Sequence, residues 1–260
     1  MTTLPPVFDL AVFAPHPDDA EIFCGGVIAS AVARGQRVAI IDLTRGELAT
    51  QGTPDNREAE AGEASRVLSL ALRENLRLPD GFISAEHEGA NGRAQLESVV
   101  RALRRLRPQI VLAPYGVDRH PDHSAASALV TKAVFFAGTK NFAADAPPHT
   151  ARQLLYYQMR TTFQPSFVVD TTAVMETKLA AIRCYRSQIE RQVQAGGEGT
   201  LISSPLTLSS ITARDAFYGA MIGKPYGEPL YCHNAIAIPD PIAHFAAHPG
   251  KDALLYPRGL

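Results

Sequence analysis

Phe13-Ala14-Pro15-His16-Pro17-Asp18-Asp19 and, far along the chain, Asp118-Arg119-His120-Pro121-Asp122-His123 bring together imidazoles and carboxylates. A catalytic zinc ion takes three such donors and keeps a fourth position for water. Asp18 and Asp19 are adjacent and cannot point the same way, so labour divides between them: one carboxylate binds metal and the other accepts a proton. His120 and His123 stand three apart across a proline, which again allows one ligand and one free imidazole. Asp122, between them, is suited to hold an imidazole in its charged form. An acidified water, a carboxylate base and a cationic imidazole at a developing oxyanion suffice to hydrolyse an amide. Either segment alone reads as a loop with a satisfied histidine. The pair is what carries the metal reading.

Both segments follow an apolar run of strand type, Leu10–Ala14 and residues 110–113, and both precede an alanine-rich helical stretch. Loops at the carboxyl ends of parallel strands are where open α/β sheets bind ligands. Helices are expected over residues 20–34, 56–70, 93–106 and 123–136, alternating with strands over 37–43, near 75–78 and over 110–113. The nearly continuous apolar character of 37–43 suits a sheet covered on both faces. This pattern predicts an α/β fold: a Rossmann-like, doubly wound, mostly parallel sheet. Beyond it, strands are expected over 154–159, 166–170 and 229–238, helices over 172–189 and 209–222, and a mobile, glycine-containing loop over 192–204. With no repeat or linker, residues 1–260 read as one domain with a C-terminal elaboration covering the site.

The chain has 260 residues, 46% hydrophobic and 20% charged, with a formal net charge of −1. That balance suits a globular enzyme and gives no electrostatic reason to expect nucleic acid or an anionic membrane as partner. No apolar run reaches the length of a membrane span, and residues 1–6 do not read as a secretory signal. Cys24, Cys184 and Cys232 are scattered and read as reduced thiols, so the expected location is the cytoplasm. Arg101, Arg104, Arg105 and Arg107 are expected to form a solvated helix face. Gly25-Gly26 does not complete a dinucleotide fingerprint, and His244 and His248 lack the glutamate of a helical zinc-protease motif.

The chain resembles the PIG-L-type zinc de-N-acetylases, and within them the bacillithiol-pathway N-acetylglucosaminyl-malate deacetylases. The likeness runs through His16-Pro17-Asp18-Asp19-Ala20-Glu21-Ile22, Asp42-Leu43-Thr44, Gly46-Glu47 and Gly52-Thr53 with Arg57, Glu60 and Ala61. It continues through Ala113-Pro114-Tyr115, Asp118 to His123, Ser204-Pro205-Leu206-Thr207 and Ala213-Arg214. The resemblance implies His16, Asp19 and His123 as ligands to one zinc ion, for which iron or cobalt could substitute. It implies Asp18 as general base and then acid, His120 as the oxyanion-stabilising imidazole, and Asp122 as the group orienting His120. Arg57 and Arg119 match positions that hold the malate carboxylates, a task suited to the guanidinium fork. Competing readings are a surface ion pair with Glu58 or Glu60 for Arg57, and an ion pair with Asp118 for Arg119. The implied reaction is hydrolysis of the N-acetyl group of an N-acetylglucosamine conjugate, N-acetylglucosaminyl malate foremost. A bacillithiol conjugate or a chito-oligosaccharide is the alternative substrate, and a homo-oligomer, a hexamer built of trimers, the implied assembly.

In one place the chain departs from that pattern. Pro205-Leu206-Thr207 runs into Leu208-Ser209-Ser210 without the tyrosine that follows it in the family, which leaves more of the oxyanion to His120. Two readings of other classes compete. A metal-free Rossmann-like nucleotide-binding enzyme conflicts with Pro15 and Pro17, which remove amide donors that a pyrophosphate needs. A non-catalytic sugar-binding protein has no use for Asp18.

Overall fold

The computed structural model describes residues 8–86, 90–143, 145–189, 203–248 and 250–255. Its centre is a seven-stranded sheet in the order β3-β2-β1-β4-β5-β7-β6. β1 (Leu10–Ala14), β2 (Val38–Asp42), β3 (Leu72–Asn75), β4 (Ile110–Pro114) and β5 (Gln153–Tyr157) are parallel. β7 (Gly227–Tyr231) then inserts antiparallel between β5 and β6 (Phe167–Asp170). The strand order reverses direction between β1 and β4, the place where a doubly wound sheet opens a crevice.

Alternation along each buried strand divides the core into two layers. Leu10, Val12, Ala14, Val38 and Ile40 pack on one face against α1 (Asp19–Ala33), α2 (Pro54–Val67) and α5 (Met175–Arg183). Ala11, Phe13, Ala39 and Ile41 pack on the other against α3 (Ala90–Leu106) and α4 (Pro121–Ala137). The continuous apolar runs are therefore strands buried on both sides, as their composition predicts.

Several boundaries move for identifiable reasons. α2 starts ahead of the expected 56 because Thr53 caps it, its hydroxyl accepting from Asn56 N at 3.2 Å, with Pro54 in the first turn. β3 lies earlier than the expected 75–78: Arg77 takes a positive φ of 54°, which ends the extended run. The expected helix 172–189 is broken into a 3-10 turn at Thr172–Val174, then α5, then α6 (Arg186–Ile189). Tyr185, at the break, is buried and donates its hydroxyl to Glu21 Oε1 at 3.0 Å. α7 (Thr207–Ala220) begins two residues early. β7 ends at Tyr231, well short of 238. An unexpected α8 (Pro241–Ala247), capped by Asp240, follows on the surface and carries His244, with His248 at its end. The expected loop 192–204 lies, up to residue 202, outside the described residues.

Arg104 corrects the reading of the basic cluster. Arg101 is exposed and pairs with Glu97 and Asp145, and Arg105 with Glu74. Arg104, by contrast, is buried and donates to the carbonyls of Phe136, Ala137, Thr139, Ala143 and Ala146, at and beyond the end of α4. All three cysteines are free and buried. No described helix is long and apolar enough to cross a membrane.

α1 is itself two helices in series. At Cys24 the backbone leaves the helical region (φ −140°), which frees the amides of the next turn. Glu228 on β7 accepts from two of them, Gly26 N at 2.9 Å and Val27 N at 2.6 Å. A side chain at Gly26 would start 2.7 Å from Thr171 and 3.0 Å from Glu228, so only glycine admits this approach. Lys178 pairs with both Glu228 and Asp215, each 2.5 Å from its ammonium, in a fully buried cluster.

Candidate active site

The carboxyl end of β1 feeds Pro15-His16-Pro17-Asp18 into α1. Asp18 sits at φ 106°, a region that costs a non-glycine residue of order 1–3 kcal/mol and persists only where its surroundings enforce it. The turn sends the carboxylates of Asp18 and Asp19 in different directions, as their adjacency requires.

Asp19 faces the two histidines. Its Oδ2 lies 3.1 Å from His16 Nδ1 and 3.5 Å from His123 Nε2. Donors bound about 2.0–2.1 Å from a tetrahedral zinc stand about 3.3 Å apart, so these three side chains already have the spacing of ligands. The far nitrogen of each ring is held by a carboxylate. His123 Nδ1 lies 3.0 Å from Asp118 Oδ1, and His16 Nε2 lies 3.1 Å from Asp80 Oδ1 and 3.4 Å from Asp122 Oδ2. That arrangement fixes ring orientation and raises basicity, as the outer partners of metal-binding histidines do. Burial alone would lower the His16 ring, but its bonds to Asp122, Asp19 and Asp80 outweigh it and hold it well above the usual histidine value. Burial likewise opposes ionisation of Asp19, and the two histidines overcome it, keeping that carboxyl well below the usual range. A convergence of carboxylates that retains a proton on a buried imidazole is a cation site by its chemistry. The donor set therefore fits a divalent ion held by His16, Asp19 and His123.

Asp18 is kept outside that trio. Its carboxylate is buried, and Arg57 Nη2 approaches Oδ2 at 3.1 Å without hydrogen-bond alignment, so the oxygen keeps an open lone pair. Burial pushes this carboxyl up to about 7 against the opposing charge of Arg57, with Asp19 adding to the rise. A carboxylate with an open lone pair and that affinity for protons is a suitable general base.

His120 caps α4 and sits at the mouth of the cavity. Its Nδ1 accepts from the backbone N–H of Asp122 at 3.3 Å, which leaves Nε2–H as the donor of the neutral ring. The structure departs here from the expectation of a charged imidazole oriented by the Asp122 side chain. The Asp122 carboxylate turns away to Gly81 N, at 2.7 Å, and toward His16, and its tie to His120 is through backbone. Burial lowers the His120 ring, and the charges of His16 and His123 lower it further.

Arg57 is neither a surface ion pair nor a rim residue. It is 4% exposed and donates to Pro17 O as well as flanking Asp18. Gly46 (φ 70°) leaves room for it: a Cβ there would fall 2.0 Å from Arg57 Nη1. Arg57→Ala is therefore expected to depress kcat roughly tenfold or more, and by the same factor on N-acetylglucosamine and on a charged conjugate of it. Steady-state kinetics on both sugars checks this; a loss confined to the conjugate would return Arg57 to substrate binding.

Arg119 is exposed on the cavity wall and has no ion pair among the described residues, since Asp118 is taken by His123 and by the amides of His120 and Arg160. Sequence reasoning missed Asp80 and Arg160. Asp80 lies in the turn after β3, where its other oxygen accepts from Leu48 N at 2.7 Å, and nothing in Pro79-Asp80-Gly81 distinguishes it from an ordinary turn. Arg160, also exposed and without an ion pair among the described residues, follows β5 and reaches the same cavity of about 490 Å³. No tyrosine is among the described residues that line that cavity.

Comparison with known proteins bears on what this site does. The PIG-L family model, described as GlcNAc-PI de-N-acetylase, matches residues 11–134. The diacetylchitobiose deacetylase of Thermococcus kodakarensis is 34% identical over 236 residues, covering 82% of this chain and 79% of that protein. A 1D-myo-inositol 2-acetamido-2-deoxy-alpha-D-glucopyranoside deacetylase of Catenulispora acidiphila is 28% identical, over 89% of this chain and 91% of the relative. Among solved structures, a conserved protein from Thermus thermophilus superposes with a TM-score of 0.79 at 39% identity, covering 89% of this chain and 98% of the other.

Proposed function

We propose that this chain, which belongs to the PIG-L family of de-N-acetylases, hydrolyses the N-acetyl group of an N-acetylglucosamine conjugate with the help of a divalent metal, zinc foremost. The observation that carries this reading is the separation of roles at one sheet edge. Three donors stand at ligand spacing, and the open lone pair of Asp18 lies beside them. N-acetylglucosamine-type deacetylation is the activity for which the relatives are named.

His16, Asp19 and His123 would hold the metal, which when bound polarises a carbonyl and acidifies water. Asp18 takes a proton from the water that adds to the acetamide carbon, and later returns it to the amine nitrogen as the C–N bond breaks. Arg57 holds Asp18 in its turn throughout. His120 offers Nε2–H to the acetyl oxygen as negative charge gathers there. Acetate and a free amine leave.

The preferred conjugate carries an anionic aglycone, and N-acetylglucosaminyl malate is the leading candidate. Arg119 and Arg160 support this, because two exposed guanidiniums without ion pairs at the mouth of a cavity suit carboxylates. The relatives' names speak for other aglycones, a second N-acetylglucosamine or an inositol, and the Thermococcus likeness makes N,N′-diacetylchitobiose the second reading. Acetate release by the zinc-loaded protein from N-acetylglucosaminyl malate, N,N′-diacetylchitobiose and free N-acetylglucosamine decides between them. The malate conjugate is expected to have the highest kcat/KM. A higher value for the disaccharide selects the second reading, and no release from any of the three sinks the deacetylase.

A further inference from the structure

Beyond Arg160 lies a second cavity of about 500 Å³, as large as the catalytic one, and no step of the deacetylation uses it. Arg160 lines both spaces and marks the boundary between them. Its backbone N–H is anchored on Asp118 Oδ2 at 2.8 Å, while its guanidinium has no partner among the described residues. Much of the remaining wall is apolar: Ile22, Phe23, Met159 and Ile211 form it, and exposed Leu206 stands at its edge.

The charged and amide side chains of this wall offer only donors. Tyr218 donates its hydroxyl to Gln158 Oε1, so that buried amide has its N–H groups left to give. Arg214 gives Nε and Nη2 to Asp215 and Ile22 O, and its Nη1 has no partner among the described residues. Arg214 and Lys178 share Asp215 and Glu228, so that cluster is neutral. Among the described residues lining the cavity, Arg160 is therefore the one unmatched charge, and no carboxylate is present.

This balance excludes most ligands. A neutral ring leaves Arg160 unmatched, and a cation meets no counter-ion. A hydrocarbon leaves the donors desolvated and unpaired. A multiply charged anion exceeds the single free charge. One carboxylate on an apolar chain satisfies both the guanidinium fork and the apolar wall, and the volume suits a chain of medium length. Its head belongs on Arg160, at the boundary, with the tail pointing away from the catalytic centre. A group continuing from the bound sugar would present its attachment point there and not its charge, so the ligand is a separate molecule.

We infer that this cavity binds a free aliphatic monocarboxylate, its carboxylate on Arg160 and its tail on the wall of Ile22, Phe23, Met159 and Ile211. Calorimetric titration of the zinc-loaded protein with butanoate, hexanoate and octanoate tests this. Each buried methylene is expected to tighten binding about fourfold, so each step of the series by roughly tenfold. Equal affinities for the three acids would put the head on the metal alone and overturn the site. Octanoate is expected to bind about tenfold or more tighter than 1-octanol, and Arg160→Gln to abolish that difference. Ser210 is exposed on α7 at the cavity, so Ser210→Trp places an indole in the path of the tail and should weaken octanoate about tenfold. Undiminished affinity in that variant, or a preference over the alcohol that survives Arg160→Gln, overturns the inference.

Octanoate on Arg160 is also expected to raise KM for N-acetylglucosaminyl malate severalfold and to leave that for free N-acetylglucosamine unchanged, a consequence that rests on the anionic-aglycone reading. Binding that follows chain length without this effect keeps the site and removes Arg160 from substrate recognition.

Discussion

Replacing Asp18 by alanine is expected to lower kcat by about 10²–10⁴ while the protein keeps its metal, the span usual for a positioned acid–base group. The carboxylate lies outside the three-donor set, so metal content should survive its loss. Depletion of the metal in the variant would mean that Asp18 and Asp19 exchange roles. A pH signature goes with the substitution. Below about pH 7 the Asp18 carboxyl is protonated and cannot accept from water, so wild-type kcat should fall on the acid side, by about tenfold per pH unit. Asp18→Asn should abolish that limb along with most of the rate. A wild-type profile that stays flat down to about pH 5 would remove Asp18 as the base.

His16→Ala, Asp19→Ala and His123→Ala are each expected to lose metal and activity together. Each leaves two donors of three, and affinity should fall by more than the roughly 10–100-fold that loss of an outer-sphere partner brings. Asp118→Ala supplies that smaller comparison, because Asp118 meets the ligand set only at the far nitrogen of His123, its other partners being the amides of His120 and Arg160. Metal analysis after purification, paired with acetate release, reads both quantities. Full metal retention in all three ligand variants would refute the assignment, whatever happened to the rate.

The donors were legible in the sequence because short-range chemistry and strand-end position coincide. His16, Asp18 and Asp19 follow one apolar strand directly, and His120 and His123 follow another after a short loop. The two-sided burial of β1 and β2 was legible for the same reason, since it writes itself as a continuous apolar run. What escaped depends on the third dimension. Asp80 comes from a turn with no signature, and its role exists only because β3 lies beside β2 and brings that turn over His16. Arg57 was recognised as a functional position, but its contacts within the protein were not legible. Nothing local indicates that its guanidinium passes over Gly46 to Pro17 and Asp18. Arg104 read as surface because its partners are backbone carbonyls at and beyond the end of α4, which carry no sequence code.

The break in α1 bears on when, during synthesis, the protein becomes an enzyme. The ligand-bearing turn at its start leaves the ribosome early, but the helix beyond Cys24 begins on amides that Glu228 must accept. Glu228 belongs to the last of the described strands, and β6 pairs with no other of them, so the sheet edge waits for it as well. A nascent chain stopped before residue 227 would bury the Lys178 ammonium with one counter-ion fewer and leave Gly26 N and Val27 N without their acceptor. Vectorial folding can shape the parallel strands that precede β7 unaided, yet the second segment of the helix behind Asp19 becomes rigid only once β7 has emerged. The turn that carries Asp18 and Asp19 is thus made some two hundred residues ahead of the strand that locks the helix behind it.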